Sequence, residues 1–269
     1  MWKLDFPRLL IITGALKVNT SSNANLAKVP ALTLGFWIIK ILATTLGETG
    51  GDAVTMSMEL GYLVGTGIFM LLFVAAVILQ IRAVRFHPYL YWATIIASTT
   101  VGTTLADYAT RSMGIGYSGG SSLLLVLLLG SLFVWHKTLG RIDVASISTP
   151  RAEFFYWLTI MFSQTLGTAL GDWTADTAGL GYLGAAAIFS AILLIIVGLY
   201  FSKIVSRTVL FWAAFVITRP LGAVVGDYLD KPLLEGGLEW SRYTATGVLL
   251  LAIVLLVLVL PQRPAQSAH

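Results

Sequence analysis

A tryptophan followed fifteen residues later by an aspartate occurs four times in this chain: Trp37/Asp52, Trp92/Asp107, Trp157/Asp172 and Trp212/Asp227. Ten residues after each Trp stands a glycine (Gly47, Gly102, Gly167, Gly222), and a small residue precedes each Asp (Gly51, Ala106, Gly171, Gly226). Twenty-four residues after each Trp comes another glycine, Gly61, Gly116, Gly181 or Gly236. Tyrosine follows it in the first three units (Tyr62, Tyr117, Tyr182) and Gly237 in the fourth. No gap interrupts any segment. Such a chain must build one local structure four times and pack the copies on one another. The units start 55, 65 and 55 residues apart, which is room for two helices each and reads as a two-helix unit doubled twice.

Composition decides the solvent. Hydrophobic residues make up 57% of the 269 and charged residues 11%, whereas a soluble domain carries about 25% charged residues. The expectation is an all-α integral membrane protein. Its eight transmembrane helices fall near residues 32–56, 60–83, 89–112, 118–138, 154–177, 180–202, 207–230 and 241–261, each long enough to cross about 30 Å of hydrocarbon. Two helices per unit keep successive units in one orientation, so the repeats are parallel about an axis along the membrane normal rather than inverted. The divisions are an N-terminal extension (1–30), a first four-helix half (31–140), a cytoplasmic linker (141–153), a second half (154–261) and a tail (262–269). Twelve of the 17 Lys and Arg residues fall in loops on one side. Only Arg111, Lys231 and Arg242 fall on the other, and Lys40 and Arg219 lie inside helices. The bias puts both termini in the cytoplasm and accounts for the net charge of +4 without a nucleic-acid partner.

The first helix of each unit carries a polar ladder at i, i+4 spacing, on one face. It reads Lys40, Thr44, Glu48, Asp52 in unit one and Thr99, Thr103, Asp107, Arg111 in unit two. Unit three has Gln164, Thr168, Asp172, Asp176, and unit four Arg219, Ala223, Asp227, Lys231. A charge at the centre of a bilayer costs from about 2.5 to over 10 kcal/mol, so such a stripe faces a bundle interior or a water-filled cavity. The first helices therefore line the centre and the second, almost purely apolar, face lipid. The small residues allow close helix approach. Two readings of the aspartates stay open: caps at helix ends, or a shared cation site in which carboxylates and hydroxyls converge.

For a cation site the ligand or translocation set is Glu48, Asp52, Asp107, Asp172, Asp176, Asp227, Thr44, Thr99, Thr103, Gln164 and Thr168. Glu48, Asp52, Asp107, Asp172 and Asp227 would hold the metal. Lys40 and Arg219 compensate charge, and at least one of them is expected within about 4 Å of a ladder carboxylate. Oxygen ligands suit hard cations. The absence of cysteine, and of histidine from the ladder, weighs against Cu⁺ and Zn²⁺.

The stretch from Lys28 through Thr44-Thr45-Leu46-Gly47-Glu48-Thr49-Gly50-Gly51-Asp52, with the later Gly171-Asp172-Trp173-Thr174-Ala175-Asp176 and Gly179-Leu180-Gly181-Tyr182 blocks, resembles a bacterial family of multi-pass membrane-anchored proteins of unknown function. The resemblance covers residues 28–260. It implies the fold and a bacterial inner-membrane location, and lends no activity. Glu48-Thr49-Gly50-Gly51-Asp52 is also similar, with one residue more, to the Glu-x-Gly-Asp motif of small cation/proton exchangers of the manganese and calcium type. Ala53-Val54 stands where those carry Lys followed by Thr or Ser.

The functional expectation is an inner-membrane cation transporter, a proton-coupled exporter of a hard divalent metal such as Mn²⁺. The alternatives are a cation channel and a non-transporting scaffold or sensor. No enzyme motif of the metalloprotease, nucleophile-elbow or phosphate-loop kind is present. No covalent cofactor is implied. The expected partners are the lipid bilayer and an inorganic cation, with homo-oligomerisation left open.

Overall fold

The computed structural model describes residues 27–142 and 147–265. Most of the N-terminal extension, residues 143–146 of the linker and residues 266–269 of the tail lie outside the described residues. Eight α-helices follow in order: α1 (Leu34–Asp52), α2 (Gly61–Arg82), α3 (Pro88–Asp107), α4 (Gly116–Leu139), α5 (Pro150–Asp172), α6 (Gly181–Ser202), α7 (Arg207–Asp230) and α8 (Arg242–Val259). No strand occurs among the described residues, only an isolated bridge between Pro30 and Pro264. The odd helices begin on local signals. Thr33, Thr149 and Ser206 accept hydrogen bonds from Phe36 N, Ala152 N and Val209 N, and Pro88 and Pro150 supply the first-turn φ of α3 and α5.

The four odd helices form a closed ring, α1 on α3, α3 on α5, α5 on α7 and α7 on α1. The repeat glycines set the ring's spacing. A Cβ added to Gly47 would fall 2.5 Å from Thr99 Cβ; one on Gly102, 2.8 Å from Gln164 Cβ; one on Gly167, 2.5 Å from Arg219 Cβ; and one on Gly222, 2.5 Å from Thr44 Cβ. In every case the glycine ten residues after one Trp receives the residue seven after the next Trp, and the fourth contact returns to α1. A turn further along, Gly51 meets Thr103, Gly171 meets Ala223 and Gly226 meets Glu48. Matching offsets at both levels show that all four odd helices run parallel.

Each even helix packs outside this ring. It does not lie along the first helix of its own unit: α2 packs on α3, α4 on α5, α6 on α7, and α8 closes the circle on α1. The turns explain the detour. After Asp52, Asp107 and Asp172 the chain widens into one π-helical turn (Ala53–Ser57, Tyr108–Ser112, Trp173–Thr177). The repeat glycine then takes a left-handed conformation, with φ between 64° and 87° at Gly61, Gly116, Gly181 and Gly236, which side chains resist. Unit four has no π turn because Pro232 lacks the amide to sustain it. The freed carbonyls of Tyr228, Leu229 and Lys231 accept instead from Leu238, Trp240 and Glu239.

Five helices, α2, α4, α6, α7 and α8, are long and apolar enough to cross a membrane. Leu71, Leu194, Phe201 and Val259 on the even helices are more than 70% exposed, an apolar exterior suited to lipid. At the end where the odd helices begin, a small lock ties three segments together. Lys28 Nζ lies 2.7 Å from Glu153 Oε1 and donates to the Ile81 carbonyl, while Gln80 Nε2 donates to the Lys28 carbonyl.

The ring geometry predicts an asymmetry between glycines. Gly222→Ala forces its Cβ into Thr44 and should cost about 1–3 kcal/mol, read as a lowered melting temperature in detergent. Gly67→Ala on α2, where nothing lies within 4 Å of the new Cβ, should leave it unchanged or raise it.

Candidate functional site

Because the odd helices are parallel and in register, equal offsets from Trp stack as layers along the ring axis. The Trp end is closed by aromatics. Phe36 faces Trp92, Tyr91 faces Trp157, Tyr156 faces Trp212 and Phe211 faces Trp37, with ring centres 5.5, 5.7, 6.1 and 6.0 Å apart. The Tyr91 and Tyr156 hydroxyls share a 2.7 Å hydrogen bond. The next layer is Lys40, Ile95, Ile160 and Phe215, all fully buried. Above it lie Thr44, Thr99, Gln164 and Arg219, then Glu48, Thr103, Thr168 and Ala223, then the four aspartates.

Arg219 reaches across this column and contacts every other odd helix. Its Nη2 lies 3.0 Å from Glu48 Oε2, 2.5 Å from both Thr103 Oγ1 and Thr168 Oγ1, and 3.4 Å from the Thr99 carbonyl; Nη1 donates to the Thr44 carbonyl. The expected ion pair between a buried ladder cation and a ladder carboxylate is therefore made by Arg219. It is not made by Lys40. That ammonium has no hydrogen-bond acceptor among the described residues and sits 4.2 Å from the centre of the Phe215 ring. Two helical turns separate it from Glu48, and Arg219 already holds that carboxylate. The Gln164 amide is fully buried with neither Oε1 nor Nε2 partnered among the described residues.

The threonines are partly committed to the backbone. Thr44 Oγ1 donates to Ile41 O at 2.7 Å, with Thr218 O of α7 at 3.2 Å. Thr99 Oγ1 lies 2.8 Å from Ile96 O and 3.1 Å from Ala43 O, and Thr103 Oγ1 3.1 Å from Gly47 O. They act as adhesive between odd helices and keep lone pairs for a cationic neighbour.

All four aspartates are buried at the far end of the column. None of Asp52, Asp107 and Asp172 caps a backbone amide, which removes the capping reading for those three. Two cations bridge them in pairs. Lys231 Nζ is 2.6 Å from Asp52 Oδ2 and 3.0 Å from Asp227 Oδ1. Arg111 lies 3.0 Å from Asp107 Oδ1 and 3.6 Å from Asp172 Oδ2. Burial works against the Lys231 charge, but Asp227, Asp52 and Asp230 outweigh it and hold the ammonium well above its ordinary value. Oxygens of Glu48, Asp172 and Asp227 can all lie within 4.8 Å of one another, as can those of Asp52, Asp227 and Asp230. Asp52 Oδ1 and Asp172 Oδ2 accept no hydrogen bond among the described residues. Asp176 does not join the cluster: it is exposed on the π turn after Asp172 and makes no ion pair among the described residues.

Sequence reasoning placed the aspartates together but passed over the groups that bridge them. Arg111 and Lys231 each stand four residues after an Asp, the spacing of a helical ion pair, and that signal was available. Asp230 and its partner Arg242, 3.2 Å away, carried no repeat signature.

A four-copy repeat, two helices long and bearing this Trp-to-Asp register, matches one described repeat at residues 35–86, 90–140, 155–204 and 210–262. The chain belongs to the DUF347 repeat family. Its description is Repeat of Unknown Function, which agrees with the multi-pass family of unknown function that the sequence resembles. No curated protein and no solved structure matches the chain.

The DUF347 core of this chain predicts a conditional role for Arg219. Arg219→Met should cost about 3–5 kcal/mol because it strands buried Glu48, seen as a large fall in detergent melting temperature. Adding Glu48→Gln to Arg219→Met should recover a substantial part of that loss.

Proposed function

We propose that this protein is a cation transporter of a bacterial inner membrane, non-enzymatic, which exchanges a hard divalent metal such as Mn²⁺ for protons at the buried carboxylate cluster. One observation carries the reading. Six buried carboxylates, Glu48, Asp52, Asp107, Asp172, Asp227 and Asp230, are held by four cations, Arg111, Lys231, Arg219 and Arg242, an excess of two negative charges; Lys40, two layers below Glu48, pairs with none of them among the described residues. Each uncompensated buried ion costs several kcal/mol. Two protons or one divalent cation neutralise the excess, so the same cluster suits both sides of an exchange. Glu48, Asp172 and Asp227 supply oxygens at separations compatible with metal–oxygen bonds of about 2.0–2.6 Å, and Asp172 Oδ2, 3.6 Å from Arg111, accepts no hydrogen bond among the described residues.

In this reading both termini lie in the cytoplasm. Support for that orientation comes from the count of basic residues: only Arg111, Lys231 and Arg242 lie at the Asp end, whereas Lys28, Arg82, Arg85, Lys137, Arg141, Arg151, Lys203, Arg207 and Arg263 lie at the Trp end. A channel is the weaker reading, because Arg219 occupies the axis and the aromatic layer closes it below. The scaffold reading treats the same ion pairs as packing alone.

Two measurements on Glu48→Gln and Asp172→Asn separate carrier from scaffold. In the carrier, Mn²⁺ raises the wild-type melting temperature in detergent and expression raises the tolerance of cells to Mn²⁺; both variants insert and fold but lose both effects. Unchanged tolerance to every cation tested, with altered stability alone, would establish the scaffold.

A further inference from the structure

Three of the four motif tryptophans are buried, Trp92, Trp157 and Trp212, whereas Trp37 is only partly so. The difference lies in the even helices. Phe73 of α2 reaches Trp157, with ring centres 6.5 Å apart, and Trp135 of α4 packs edge-on against Trp212 at 5.8 Å. The corresponding positions of α6 are Leu193 and Tyr200, and neither fills the space beside Trp37. An apolar groove of about 560 Å³ remains between α1, α6 and α7, lined among others by Trp37, Ile41, Leu193 and Phe211. It opens sideways, where the bilayer would lie.

At the Trp end the groove runs into a second concavity of about 420 Å³ that shares Tyr200, Phe201, Arg207 and Leu210 with it and adds Lys203 and Ser206. This mouth is basic. Arg207 stacks over the Tyr200 ring at 5.7 Å, which holds the guanidinium at the rim. Lys203 stands beside it in a left-handed turn with φ 58°. The 24-residue helix α7 also begins here, capped by Ser206, so its positive end faces the same space. Among the described residues no acidic side chain lines either part.

We infer that this continuous groove is a binding site for one anionic phospholipid, its phosphate held at Lys203 and Arg207 and an acyl chain laid against Trp37 and Leu193. The apolar part matches a hydrocarbon chain, and the mouth complements a negative headgroup at the depth where headgroups lie. A zwitterionic lipid would satisfy the groove but not the excess positive charge at its mouth.

Native mass spectrometry of the full chain in detergent, titrated with phosphatidylglycerol or phosphatidylcholine, tests this. Wild-type protein is expected to retain phosphatidylglycerol preferentially. Arg207→Gln and Lys203→Gln should each lower that preference roughly fivefold, as loss of one basic contact at a membrane surface does. Arg85→Gln, an exposed basic residue outside the groove, should not. Leu193→Trp, which fills the groove, should reduce retention of both lipids while the melting temperature is kept. Equal retention of the two lipids by wild type, an unchanged preference in the Arg207 and Lys203 variants, full retention in a folded Leu193→Trp protein, or a lipid-free dimer would each overturn the assignment.

Discussion

Everything else in this molecule depends on how closely one odd helix approaches the next. Glycine at Trp+10 removes the side chain that would keep the backbones apart, and the residue at Trp+7 of the following helix fills the gap. Gly47, Gly102, Gly167 and Gly222 repeat that contact until it returns to its start. In lipid no hydrophobic force draws helices together, so such packing and the hydrogen bonds it allows are what hold the ring. The threonine hydroxyls that reach neighbouring carbonyls, such as Thr99 to Ala43 and Thr103 to Gly47, are within range only because the glycines permit it.

A tight ring makes a polar interior costly, and the symmetry is broken where that cost is greatest. Four identical units would place four identical groups in each layer. Instead Arg219 appears once, opposite threonines, and Glu48 appears once, in the layer it can reach. The aspartate layer keeps its fourfold character, yet its counter-ions do not: Lys231 spans Asp52 and Asp227, and Arg111 spans Asp107 and Asp172. The backbone is a repeat; the electrostatics form a single asymmetric site with more carboxylates than cations.

Much of this was legible in the sequence. The common offset from Trp placed the four aspartates at one depth and angle, and the i, i+4 ladders showed which helix faces meet. The helix spans follow from apolar runs. Less was legible where structure is set by non-local geometry. That each even helix rides on the next odd helix is set by turns that share a left-handed glycine at Gly61, Gly116, Gly181 and Gly236; three of the four also widen into a π turn at Ala53–Ser57, Tyr108–Ser112 and Trp173–Thr177, and nothing in those residue types announces an i+5 turn. Arg219 was recognisable as a counter-charge, but its choice of Glu48 is a matter of rotation about the ring. Lys40 was expected to share that role. Its place a layer below Arg219, against Phe215, leaves it with an aromatic face instead of a carboxylate. Asp176 fell on the ladder by spacing, yet the π turn after Asp172 swings it to the surface.

An excess of two buried carboxylates can be neutralised either by two protons or by one divalent cation. Calorimetry of Mn²⁺ binding to the detergent-purified protein, repeated in buffers of different ionisation enthalpy, counts the protons released per ion. Metal binding at protonated ligands releases protons, and about two per Mn²⁺ are expected at a pH where the empty cluster is neutral. Glu48→Gln should lower that number. Binding with no proton release at any pH, or no binding of a divalent cation at all, would contradict this exchange of protons for metal.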